Sequence, residues 1–156
     1  YIRKRDILYD YKAASSAALG LIFAILATVT GAIWAKFEWG AFWNWDPRQT
    51  SIFVLILVYG AYFALRSAVE SEEQRAKLSS VYSILAGITV PFFIFIFPRI
   101  VDSLHPDPIV NSTGKVKMDT NMLIVFLSSL AGFTGLYAWM LNLRIRIAKL
   151  NLKESS

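Results

Sequence analysis

The densest chemistry in the chain lies in ten residues, Trp39-Gly40-Ala41-Phe42-Trp43-Asn44-Trp45-Asp46-Pro47-Arg48. Three tryptophans and a phenylalanine fall within seven positions, and an acid, a proline and a base close the run. Flat rings beside one acid and one base suit a flat, mostly apolar ligand with a charged edge. The second feature is His105, the only histidine, in Asp102-Ser103-Leu104-His105-Pro106-Asp107-Pro108. The two prolines oppose helix, favour extended backbone before each of them and restrict the segment. Imidazole is a common axial ligand of haem iron. With no cysteine and no second histidine, a protein zinc site lacks its ligands. A porphyrin fits the inventory better: one imidazole for the iron, aromatic faces for the macrocycle, and Lys36, Arg48 or Arg99 for the propionates.

Each feature also has a plainer reading. Tryptophans collect at the headgroup depth of membranes, and Trp34 and Trp139 read as residues of such a belt. Trp39, Trp43 and Trp45 are crowded into a loop with Gly40, which permits close backbone approach. Asp46 reads as a helix N-cap with Pro47 at the first helical position, and Gln49 completes a capping box. Arg48 is open to pairing with Asp46, to lipid phosphate, or to bidentate binding of a ligand carboxylate. His105 is by default a surface loop residue. Glu70, Glu72, Glu73 and Arg75 read as a solvated loop. There is no Ser-His-Asp arrangement and no glycine-rich phosphate loop. No paired carboxylates lie within a span to support a proton pump.

The elements that position these residues are long and apolar. Hydrophobic residues make up 56% of the chain, and residues 13–35, 49–65, 78–98 and 120–143 carry no charge. A helix crossing the hydrocarbon core takes roughly 20 apolar residues, and only helices or closed barrels satisfy their backbone there. The runs are too long for barrel strands. The reading is an all-α polytopic membrane bundle with spans at about 13–34, 49–68, 79–97 and 121–143. The loops 35–48 and 98–120 lie on one side, and residues 1–156 form a single transmembrane domain. The first span is rich in small residues, which lets helices approach closely. Pro91 is expected to kink the third.

Lys and Arg sort unevenly between the two sides. Arg3, Lys4, Arg5, Lys12, Arg66, Arg75, Lys77, Arg144, Arg146, Lys149 and Lys153 share one side, and Lys36, Arg48, Arg99, Lys115 and Lys117 the other. The net charge of +5 therefore marks topology and not nucleic-acid binding. Both termini are placed in the cytoplasm, with the Trp-rich loop and His105 together on the outer face. The chain opens at Tyr1 with a charged segment that is not a signal peptide, and an incomplete N-terminus is expected.

The segment Trp39-Gly40-x-x-Trp43-x-Trp45-Asp46-x-Arg48 resembles the tryptophan-rich WWD signature of the haem-handling proteins of cytochrome c maturation, the CcmC, CcmF and CcsA proteins. The likeness to CcmC extends from about residue 13 to 150. It takes in Thr50-Ser51, the short loop after the second span, Leu104-His105 and the basic tail. The resemblance implies haem b held transiently and without covalent attachment at the outer face of the bacterial inner membrane. His105 would be one axial ligand, and Trp39, Gly40, Trp43, Trp45, Asp46 and Arg48 the signature against the ring. It implies delivery to a periplasmic chaperone of the CcmE type, with CcmA-, CcmB- and CcmD-type subunits nearby and no catalysis by the chain. CcmC-like proteins usually have six spans, and their first axial histidine precedes the present chain. Phe42 stands where many members carry Trp or Tyr. Two other readings remain: a CcsA-like synthase joining haem to apocytochrome thiols, and a haem-free membrane scaffold whose Trp loop is an interfacial anchor.

Overall fold

A computed structural model describes residues 1–105, 114 and 116–154. Among them the chain is helical, in the order α1 (Ile7–Trp39), α2 (Pro47–Ala68), α3 (Glu72–Pro91), a π-helical turn (Phe92–Ile96), α4 (Phe97–Ile100) and α5 (Thr120–Glu154), with no strand. Four helical segments, Ile7–Trp39, Pro47–Ala68, Glu72–Ile100 and Thr120–Glu154, are long and apolar enough to cross a membrane. The architecture is the all-α membrane bundle expected from the uncharged runs.

The interior is small and polar, because lipid gives apolar side chains no reason to turn inward. Leu19, Ala24, Ala35, Tyr62 and Ala76 are the buried hydrophobics among the described residues, and Asp10, Asp46, Gln49, Ser51 and Ser79 are buried beside them. Large apolar side chains such as Leu26, Ile88 and Phe133 face outward. Helix α1 is central, touching α2, α3 and α5, and α5 packs on α1 alone among the described elements. Ser16 Oγ lies 2.6 Å from Tyr137 Oη, and Phe23 meets Phe133 edge to face. Gly20 admits α2 closely: a Cβ there would lie 2.3 Å from Tyr59 Oη.

At one end of the bundle Asp10, in the first turn of α1, takes the guanidinium fork of Arg66, in the last turn of α2, at 2.6 and 2.8 Å. Nearby, Tyr11 Oη donates to Glu72. Glu72 and Glu73, read from sequence as loop residues, instead form the first turn of α3 behind the N-cap Ser71. Their charge there complements the helix dipole.

At the other end, α1 continues past the expected 13–34 to Trp39, so this tryptophan is helical. Gly40 ends the helix with φ 79°, donating its N–H to Lys36 O. A Cβ on Gly40 would meet nothing within 4 Å. The glycine supplies the left-handed backbone at the helix end, and no described protein atom crowds it.

Pro91 closes α3, and the helix runs on through the π turn into α4. Just past Pro91, where a kink is expected, the helix widens into this π turn, a known accompaniment of functional positions. Prolines 106 and 108 and Lys115 lie outside the described residues.

Candidate functional site

Asp46 is the junction of the site. Its φ of −52° and ψ of 143° end the loop, its Oδ1 caps α2 by accepting Arg48 N–H at 2.9 Å, and Pro47 follows at the first helical position. The cap is as expected, but the carboxylate does more than cap. Oδ2 accepts from Leu104 N–H at 2.7 Å and from Ser103 Oγ at 2.9 Å. Oδ1 lies 2.8 Å from His105 Nδ1. The Asp46 side chain is fully buried. Burial pushes its carboxyl upward, but the bonds from Arg48, Leu104, Ser103 and His105 outweigh this and hold it below the ordinary carboxylate value.

This geometry fixes the imidazole. An ionised carboxylate only accepts hydrogen bonds, so Nδ1 carries the proton. In the neutral ring Nε2 then keeps its lone pair. Among the described residues Nε2 makes no hydrogen bond, and the His105 side chain is 22% exposed. A carboxylate behind one imidazole nitrogen is the arrangement that orients metal-bound histidines and raises their basicity. The donor set therefore fits single-point attachment to an iron.

Two aromatic groups stand at this end of the bundle, and the first flanks the imidazole. Trp34 stacks on it at 5.5 Å between centroids and Trp39 meets it edge-on at 4.7 Å. Trp34, read from sequence as a belt residue, is thus a neighbour of the histidine. The available signal was its place on the helical turn before Trp39. The second group is Trp43, Trp45 and Phe53, whose rings pack edge to face. Trp45 is 67% exposed and has φ 56°, a left-handed conformation costly for a bulky side chain.

Gln49 differs from the expected box. Its side chain passes the cap, accepting Asn44 N–H at 2.9 Å and donating to Phe42 O at 3.3 Å. It thereby ties down the loop that presents Trp43 and Trp45. The three candidate propionate partners also separate. Lys36 donates to Gly40 O and lies over the Phe42 ring, and Arg99 donates to Phe95 O. Arg48 borders the same cavity as His105, Trp43 and Gln49, a space of about 170 Å³ against Thr28 and Gly31 of α1. The Arg48–Asp46 bond described above runs through backbone N–H. The cavity formed by the described residues is too small to enclose a porphyrin.

Comparison with known proteins bears on the family of the chain. The family model for Heme exporter protein C, CcmC, matches residues 2–156. A Heme exporter protein C of Bradyrhizobium diazoefficiens is 33% identical over 97% of this chain and 60% of its own length. That of Haemophilus influenzae is 31% identical over 84% of this chain and 53% of its own. A cytochrome c biogenesis protein CcsA of Coffea arabica is 36% identical, but over only 37% of this chain and 18% of its own. The chain spans about three fifths of the length of the first of these relatives. On a match covering nearly every residue, the chain belongs to the CcmC heme exporter protein C family.

Proposed function

We propose that the chain holds haem at the outer face of the bacterial inner membrane and passes it to a periplasmic haem chaperone of the CcmE type during c-type cytochrome biogenesis. The observation that carries this reading is the Asp46–His105 pair, which turns one imidazole nitrogen outward beside a cluster of tryptophans. The haem is cargo, haem b bound transiently and without covalent attachment. His105 ligates its iron. Trp39, Trp43 and Trp45 lie against the ring, and Gly40 ends the helix that carries Trp39. Asp46 orients the ligand, and Arg48 balances a propionate.

Handover requires a site that releases what it binds. An imidazole ligand with aromatic contact beside it suits that task. Both termini lie on the cytoplasmic side, following the distribution of Lys and Arg. Partners are transporter subunits of the CcmA, CcmB and CcmD types and the surrounding lipid. The chain presents a ligand and makes no bond in a substrate. The short CcsA match supports a haem-attachment synthase as the second reading.

The test is the haem content of the full-length protein purified with its partners, wild type against His105→Ala. The reading expects occupancy to fall severalfold in the variant and transfer to the chaperone to fall with it. Unchanged haem content would remove His105 from the site.

A further inference from the structure

We propose that Ser51 is a positioning residue for His105, acting through a backbone carbonyl that Pro98 leaves without a donor. In the π-helical turn Phe97 N–H bonds Phe92 O. The next carbonyl, Phe93 O, would in the same pattern take the N–H of residue 98. That residue is proline, which has none. An unpaired carbonyl is costly wherever water is excluded, and most of all in lipid. Ser51 Oγ lies 2.6 Å from Phe93 O.

The hydroxyl also lies 2.7 Å from Pro47 O, but it has one proton to give. In α2 Pro47 O is the helical acceptor for Ser51's own N–H, so the greater need is at Phe93. Ser51 is fully buried, and Pro98 is buried too. The bond thus pins the end of the third span to the first turns of α2. Asp46, just ahead of the same turns, receives Ser103, Leu104 and His105 from the chain a few residues beyond. Ser51 sets where that chain leaves the bundle, and Asp46 catches it. Without the first clamp, the His105 segment approaches Asp46 from an undetermined direction.

The test compares Ser51→Ala with wild type in the full-length protein, with two readouts. The first is the rate of diethyl pyrocarbonate modification at His105, resolved by mass spectrometry on haem-free protein. The second, which rests on the haem reading above, is the fraction of high-spin iron in the haem-loaded protein. Ser51→Ala is expected to modify severalfold faster and to gain high-spin iron. Adding Pro98→Ala, which supplies the missing N–H, is expected to move both toward wild type. If Ser51→Ala does not accumulate, Ser51→Thr and Ser51→Val are compared instead, since they share a shape and differ by the hydroxyl. Equal modification rates and spin states in wild type and Ser51→Ala, or in the Thr and Val pair, would overturn the proposal. So would a double variant no closer to wild type than Ser51→Ala. Should His105→Ala leave haem content unchanged, the haem reading fails by itself, and the modification rate still decides the role of Ser51.

Discussion

Among the described residues each end of the bundle buries one aspartate, and the two are satisfied in opposite ways. Asp10 faces the fork of Arg66, and both of its oxygens are taken by one guanidinium that stays charged at all ordinary pH. The pair joins α1 to α2 as a latch. Asp46 is satisfied by two backbone N–H groups, a hydroxyl and an imidazole. Three of those bonds build the loop, and the fourth holds a ring whose far nitrogen points away from the carboxylate. A buried carboxylate locks when its partner has nothing further to offer. It makes a site when its partner has a second face.

The largest effect is expected at the latch. Arg66→Ala leaves Asp10 buried without its counter-charge, a loss of about 3–5 kcal/mol in comparable cases. Thermal unfolding in detergent should show it, and the protein that stays folded should keep the His105 environment of wild type. A variant that lost His105 orientation first would merge the two ends into one cooperative unit and break the contrast.

Gly20→Ala sharpens the contrast from the middle of the helices. The added methyl meets the Tyr59 ring, an overpacking that typically costs about 1–3 kcal/mol. It should loosen α1 against α2, lowering the unfolding temperature without changing the reactivity of His105 toward diethyl pyrocarbonate.

Gly40→Ala should cost less, about 1 kcal/mol for a residue held in the left-handed region. Its effect should appear at the Trp end, as a change in tryptophan fluorescence.

The smallest effect is acid dependence. The Asp46 carboxyl is held below its ordinary value, so its bonds add stability that is fully present above the unfolded carboxylate's pKa, about 3.9. That stability is lost as pH falls through the lower folded value. Asp46→Asn should lack this step in an acid titration of stability, and a step of equal size in both proteins would place its source elsewhere.

Much of this was legible in the chain. Uncharged runs announce the spanning helices because lipid leaves few alternatives. Asp46-Pro47 announces a helix start because cap chemistry is local. The Trp-rich run and His105 were both singled out by residue type. What stayed hidden depends on direction in space. Nothing in the spacing of Asp46 and His105, 59 positions apart, says that one carboxylate serves both cap and imidazole. Nothing in the sequence pairs Asp10 with Arg66, 56 positions apart, and only the antiparallel packing of α1 on α2 brings them together. Gln49 sat at the right position for a box, yet its reach past the cap depends on how the loop folds back. Ser51 is marked in the sequence only as part of the Thr50-Ser51 likeness, and only the fold sets it opposite the carbonyl left by Pro98.

The most direct test of the central claim is the visible spectrum of the haem-loaded full-length protein carrying His105→Gly, oxidised and reduced, with and without added imidazole. The account predicts that the substitution shifts the spectrum away from histidine ligation and that free imidazole, entering the space left beside Asp46, restores it. A spectrum identical to wild type before imidazole is added would contradict it.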